Sequence, residues 1–350
     1  MITDGIINLL KPAGMTSHDG VQFLRRLTGI KRIGHTGTLD PMAVGVLPLC
    51  IGSAARITEY LDLDDKKYRC EMQLGLETDT QDIWGAILQD KRQEGFPERA
   101  KVEEALSRFH GVISQYPPGY SAVRVNGRRL YEYARQGETV EIKPRKVDIK
   151  NITVISYDQE KGRAIYDVTC SKGTYIRTIC HDAGTVLGCG AVMSCLIRTA
   201  SGAFTLNDTV TMEELKENGA KPYLMSPDFP LVHFGQALVS DDRGKWFANG
   251  GHLRMSEIDV IREPEFKEQN NDSESNLNIR EEYRSAYNIY LKDKALGERE
   301  LGAFLGVAFY SPQYKKLVAD KIFLSDRTIF DRTEASETVE KTVQGRGDSE

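Results

Sequence analysis

The residues best placed to do chemistry lie in one short run, Gly34-His35-Thr36-Gly37-Thr38-Leu39-Asp40-Pro41, where a histidine and a carboxylate share a loop shaped by glycine and proline. Two chemistries fail on spacing. A phosphate-cradling P-loop needs Gly-Lys-Ser/Thr after its first glycine, and the run has none. An aspartyl-phosphate enzyme offers a second acid two positions on, where Met42 stands. A carboxylate can also act as a covalent nucleophile toward carbon, as in glycosidases. A two-carboxylate glycosidase needs a second acid, and Asp79 and Asp82 qualify by type only. On residue chemistry alone Asp40 is either such a nucleophile or a turn-forming aspartate. His35 is either a catalytic group or a loop hydrogen-bonder.

The elements that must hold this run belong to a chain of 350 residues, about two domains' worth at roughly 150 residues each. Hydrophobic residues at 40% and charged residues at 28% exclude a wholly disordered or collagen-like chain. No apolar run approaches the roughly 18 residues of a membrane span. The opening MITDGIINLLKPAG carries an acid and only a short apolar stretch, so it is a poor signal peptide and the expected location is cytoplasmic. The six cysteines, at 50, 70, 170, 180, 189 and 195, form no C-x-x-C pair and are expected to be free, mostly buried thiols. The six histidines are equally scattered, so a zinc site is not expected.

The net charge of −5 hides an uneven distribution. Residues 262–300 and 326–350 together contribute −6 and leave +1 on the rest. Within that rest, residues 124–150 carry +4, including Arg124, Arg128, Arg129 and Arg135, interleaved with Tyr131 and Tyr133. Cations with interleaved aromatics suit a phosphate backbone bearing unstacked bases, although such a run is also what a solvated surface looks like.

Residues 6–10 read as a strand, followed by a Lys11-Pro12-Ala13-Gly14 turn and a helix capped by Ser17 and stopped at Gly29. Residues 31–53, with four glycines and two prolines, read as loop-rich. Tyr68, Cys70, Met72, Leu74 and Leu76 alternate with polar residues, the pattern of a half-buried strand. Pro97 opens a helix with an inner stripe of Val102, Ala105, Leu106 and Phe109, and a short helix spans 128–136. Strands at 146–156 and 163–171, a helix from Thr174, a strand at 191–198 and a capping box at Thr211 and Glu214 complete the first part. Pro222, Pro227 and Pro230 mark a handover to a helix at 242–248 and strands at 304–310 and 317–324. Strands in hairpin-like order among isolated helices indicate an α+β fold. Residues 262–300 read as a long, mobile polar insertion and 326–350 as a disordered tail.

GHTGTLDPMAVGVLPLCIGSAARITEYL resembles the signature segment of the TruB-type tRNA pseudouridine synthases, which form pseudouridine at position 55 of the T-loop. Four more stretches match in order: KPAGMTSHDGV (11–21), KKYRCEMQLGLETDTQDIWG (66–85), QYPPGYSAVRVNGRRLYEYARQG (115–137) and CSKGTYIRTICHDAG (170–184). They resemble the family's N-terminal motif, tyrosine strand, RNA-gripping insertion and arginine motif. Departures are Arg124 where lysine is more common, Ile197 where a second arginine is, and Ala183 where leucine is.

The resemblance implies Asp40 as catalytic nucleophile, Arg177 as its ion-pair partner and Tyr68 as the ring that stacks on the flipped uracil. It implies Tyr175 and Leu196 as pocket walls, His35 as support for the displaced T-loop, and Arg124, Arg128 and Arg129 as RNA contacts. It also implies a mixed or antiparallel-sheet catalytic domain over 1–228, with the insertion at about 115–150. A β-rich, PUA-like RNA-binding domain would follow over 229–325. The chemistry is consistent: isomerising uridine needs no redox step, no external nucleophile and no cofactor, and an adjacent cation favours the ionised carboxylate. Flipping the base costs a few kcal/mol, of which stacking on Tyr68 returns roughly 1–3 kcal/mol. Asp40 could attack the anomeric carbon, attack the pyrimidine ring, or abstract a sugar proton to give a glycal. The expected partner is tRNA, with no membrane and a monomeric chain. The alternative from another class is a non-catalytic tRNA-binding or RNA-folding protein on the same scaffold.

Overall fold

The computed structural model describes residues 4–63, 65–265, 281–292 and 300–323. The alternation around Tyr68 forms the strand Lys66–Leu74, with Tyr68, Cys70 and Met72 buried and Lys67 and Arg69 exposed. Among the described residues it belongs to a nine-stranded sheet. The order runs Gly5–Lys11, Val44–Ile51, Ala191–Ser201, Lys66–Leu74, Arg163–Cys170, Arg145–Asp158, Gly111–Gln115, and two short strands lie off this path, Ile33–His35 beside Val44–Ile51 and Phe204–Thr205 beside Ala191–Ser201. Neighbours along this path are antiparallel except for Val44–Ile51 against Ala191–Ser201, which are parallel. Helices Ser17–Thr28, Arg99–Ser107 and Ile176–Leu187 contribute Val21, Leu24, Val102, Leu106, Ile179 and Cys180 to its core.

The expectation of a loop across 31–53 is corrected here, because Val44–Ile51 is a strand buried almost throughout. Its run is apolar without alternation since both faces are covered. Leu47, Leu49 and Ile51 join the core of the nine-stranded sheet. Val46 and Cys50 join a second cluster with Leu231, Phe234, Tyr283, Val307 and Phe323. The helix cap is also corrected: Thr16, not Ser17, closes the capping box with Asp19. Ser17 is buried and its hydroxyl bonds elsewhere.

A six-stranded sheet, counted among the described residues, follows in the order Leu253–Arg254, Lys316–Ile322, Leu301–Ser311, Ala286–Lys292, Gly235–Val239, Asp259–Arg262. The helix Asp241–Ala248 sends Phe247 into its core. The reading of 262–300 as one polar insertion is corrected in part. Ala286–Lys292 is an interior strand with six of its seven residues buried, and its apolar content was hidden by the charges flanking it. Residues 266–280 and 293–299 lie outside the described residues, as does the expected tail at 326–350. The two sheets meet through an aromatic contact in which Tyr60 packs edge-on against Phe234 and Tyr283. The Tyr60 hydroxyl donates to Asp320, and the Arg56 guanidinium donates to the Ile322 carbonyl.

Gly45 makes the parallel pairing possible. Its φ is +109°, and a Cβ there would collide with the carbonyl oxygen of Arg198 on the adjacent strand. Gly45→Ala is therefore expected to cost about 2–4 kcal/mol, from the disfavoured backbone plus separation of the strands. Urea unfolding monitored by circular dichroism should show the midpoint fall; an unchanged midpoint would mean the strands part freely.

Candidate active site

Asp40 stands on the loop between the strands Ile33–His35 and Val44–Ile51. Groups distant in sequence fix that loop. The Ser17 hydroxyl accepts from the Leu39 amide at 2.8 Å and lies 3.1 Å from the Leu39 carbonyl, to which it donates. The Gly14 amide donates to the Pro41 carbonyl at 2.9 Å. Lys11, fully buried, donates through Nζ to the carbonyls of Pro12 (2.8 Å) and Pro41 (3.3 Å). Arg198, also buried, donates to the carbonyls of Val46 (2.7 Å) and Gly37 (3.2 Å) and reaches Thr38 at 3.5 Å. Two cations thus sit beneath a loop of inward-turned carbonyls.

Over this loop lies Arg177, in the first turn of Ile176–Leu187 and only 4% exposed. Its Nε is 2.9 Å from Asp40 Oδ2, and Nη1 is 3.6 Å from Asp82 Oδ2. Nη1 also donates to the Thr80 carbonyl and Nη2 to the Tyr120 carbonyl, each at 3.0 Å. A buried guanidinium pays a heavy desolvation cost unless its donors are used, and here they are met by two carboxylates and two carbonyls. Burial pushes the Asp82 carboxyl up, opposed first by the Thr80 hydroxyl bond and then by Arg177. Asp40 keeps about a third of its side chain exposed, so it is the member of the cluster that a substrate can reach.

Tyr68, Leu196 and Arg198 share one sheet face, since Tyr68 pairs with Arg198 and Cys70 with Leu196 across the strands. Tyr68 is 9% exposed. Burial pushes its phenol up, with the nearby Arg198 guanidinium acting in the opposite sense. Tyr175 precedes the Arg177 helix, and its backbone is held by the Gln115 side chain, which accepts from the Tyr175 amide at 2.8 Å and donates to its carbonyl at 2.9 Å. His35 lies five residues before Asp40, half-buried, and burial pushes its imidazole down.

The structure thus brings Asp40, Arg177, Tyr68, Leu196 and Tyr175 around one region, with His35 closing the strand that leads into the Asp40 loop. Arg124, Arg128 and Arg129 stand apart on a hairpin turned by Asn126 and Gly127, both at positive φ. That hairpin connects to the site through Tyr120, whose carbonyl Arg177 holds. Sequence reasoning missed Lys11, Arg198 and the part Asp82 plays beside Arg177. The available signal was a single cation closing or interrupting an apolar strand, at Lys11 after Leu10 and at Arg198 between Ile197 and Thr199.

A mixed α+β fold with a carboxylate held by a buried guanidinium above a sheet-face tyrosine is the arrangement to set beside known proteins. The model described as TruB family pseudouridylate synthase (N terminal domain) matches residues 25–176, and that of the tRNA pseudouridylate synthase B C-terminal domain matches 177–224. The class is that of the pseudouridylate synthases. Similar relatives are tRNA pseudouridine synthase B of Alkaliphilus oremlandii, 48% identical over 75% of this chain and 87% of that one, and of Symbiobacterium thermophilum, 50% identical over 68% and 79%. The chain belongs to the TruB family. In fold it resembles an archaeal box H/ACA sRNP Nop10-Cbf5 complex, at 23% identity and a TM-score of 0.60 over 91% of this chain and 86% of that one. The boundary between the two matched models falls at the start of the Arg177 helix, and the strand that follows it, Ala191–Ser201, lies within the same sheet as the strands before it, so the boundary divides the sequence but not the sheet.

Burial lowers the Lys11 ammonium to about 8, with Asp40 acting in the opposite direction. The unfolded chain keeps its proton to about 10.5, so between these values it binds more protons than the folded chain. The contribution of Lys11 to stability must therefore rise with pH across that window. Compared with Lys11→Met, the wild type should gain stability between pH 8 and 10 in paired urea titrations. A parallel pH dependence for both proteins would show that Lys11 titrates normally.

Proposed function

We propose that this chain converts uridine 55 in the T-loop of tRNAs to pseudouridine. The observation that carries the reading is the Arg177–Asp40 pair, 2.9 Å apart, set over the face that presents Tyr68 and Leu196 in a TruB-family chain. The reaction breaks the bond between N1 of uracil and the anomeric carbon, turns the ring, and joins ring carbon 5 to that carbon. Carbon 5 loses its proton and N1 takes one up, so atoms balance without oxidant or cofactor.

In this reading Asp40 acts on the flipped nucleotide by anomeric attack, ring attack or sugar deprotonation. All three need a carboxylate held at a fixed position, which the 2.9 Å pair with Arg177 supplies. Tyr68 stacks on the uracil, and Leu196 and Tyr175 close the pocket and exclude water. His35 supports the displaced loop from the rim; burial disfavours its charged form, so it acts as a neutral hydrogen-bonding group. Arg124, Arg128 and Arg129 grip the phosphate backbone. Residues 1–228 form the catalytic unit, and 229–325 form a PUA-like RNA-binding unit locked to it by the Tyr60 contact. The chain acts as a cytoplasmic monomer.

Tritium release from carbon-5-labelled uridine in a tRNA transcript tests the reaction. Wild type is expected to release one tritium per T-loop, and Asp40→Asn none above background while still binding tRNA. Release by neither protein, with binding intact, would make Asp40 a structural loop residue and the chain an RNA-binding protein.

A further inference from the structure

The loop that supplies Thr80 and Asp82 to Arg177 also carries an aromatic side chain that the reaction above does not use. Trp84 is 60% exposed, and its neighbour Ile83 is 42% exposed. Both lie in the turn between the short strands Leu76–Thr78 and Ile87–Asp90. Ile87 and Leu88, which follow at 59% and 69% exposure, make this a run of exposed apolar side chains and not a single stray one.

The loop is not a loose tip. The Trp84 amide donates to Asp82 Oδ1 at 3.0 Å, and the Ile83 amide donates to the Met193 carbonyl at 2.9 Å. Gly85, which follows, is packed so closely that a Cβ there would strike the Thr80 and Asp79 side chains. Three contacts tie the indole's backbone to the reacting carboxylate: Trp84 to Asp82, Asp82 to Arg177 at 3.6 Å, and Arg177 to Asp40 at 2.9 Å. The backbone of Trp84 is therefore fixed three contacts from Asp40, with its side chain left in solvent.

The charges around it indicate what it meets. Asp79 accepts from the Ala86 amide at 2.7 Å and from the Tyr120 hydroxyl at 3.4 Å, and Asp82 accepts from the Thr80 hydroxyl at 2.8 Å. These acids are engaged within the protein, but their charge still repels phosphate. What the loop leaves exposed is a neutral aromatic side chain. A flipped uridine leaves its neighbours in the RNA loop without a stacking partner, each exposing a π-face.

We propose that Trp84 stacks on a nucleobase flanking the flipped uridine and holds the opened RNA loop at the mouth of the pocket. This positioning role rests on the tRNA reading given above, and it is distinct from the grip of Arg124, Arg128 and Arg129. Stacking on a neutral ring depends little on salt, whereas phosphate contacts release counterions.

The sequence has two tryptophans, so Trp246→Phe leaves Trp84 as the sole indole. In that protein, with Asp40→Asn added to prevent turnover, a T-arm stem-loop RNA is expected to quench the indole emission on binding. In otherwise wild-type protein Trp84→Ala should raise KM for the stem-loop about 5- to 150-fold, the equivalent of one stacked base. Its single-turnover rate at saturating RNA should stay within about twofold, and its salt slope should not change. Trp84→Phe should recover most of the loss. Binding without quenching, an unchanged KM, or a shallower salt slope in Trp84→Ala would each overturn the proposal. Failure of the underlying reading shows separately, as absence of tritium release by the Trp246→Phe protein with Asp40 intact.

Discussion

The structure turns on one buried guanidinium. Arg177 draws together Asp40, Asp82, the Thr80 carbonyl and the Tyr120 carbonyl, from three segments that are far apart in sequence. An isolated charge at 4% exposure would be untenable, so its partners are obligatory for stability as well as for chemistry. The loop bearing Asp40, the loop bearing Asp82 and the start of the basic insertion must all be in place for Arg177 to be satisfied. Folding the site and folding the domain are in this sense one event. The exposed third of Asp40 is the part of this cluster left open to solvent.

Beneath this layer the cations have a different job. Lys11 and Arg198 carry charge into the core but spend their donors on backbone carbonyls of the Asp40 loop. A loop rich in glycine and proline has few internal hydrogen bonds, and its inward carbonyls need donors. Supplying them from rigid strands fixes the loop without adding helix or sheet to it. Arg198 also pairs across the sheet with Tyr68, so the floor of the loop and the wall of the pocket share one residue.

The sequence made some of this legible and concealed the rest for identifiable reasons. The Tyr68 strand showed because one face of it is buried and the other wet, which writes itself as alternation. The Val44–Ile51 strand did not show, because burial of both faces erases alternation and its Gly45 and Pro48 look like turn residues. Ala286–Lys292 was submerged in the charge of its flanks, where averaging over a long window outweighed six consecutive buried positions. Asp40 stood out from its loop as either a nucleophile or a turn residue, but Arg177 and its pairing with Asp40 came through the resemblance, since nothing in local pattern joins residues 137 positions apart. Lys11 and Arg198 were missed because their partners are carbonyls, which have no sequence signature.

Burial sorts the arginines of this chain into two kinds. Arg177 and Arg198 are rigid because each of the three guanidinium nitrogens has a partner, and a rigid cation can define the position of a carboxylate or a loop. Arg128 and Arg129 are held more lightly. Arg128 lies over the Tyr133 ring at 4.2 Å and pairs with Glu138 at 3.0 Å, while Arg129 sits 5.9 Å from the Tyr131 ring. Such half-exposed contacts contribute little to stability and can be exchanged for phosphate at small cost. The Asn126-Gly127 hairpin therefore presents cations that are ordered but replaceable. The same side chain is thus an internal fixture beside Asp40 and an exchangeable surface cation on the hairpin, and burial separates the two.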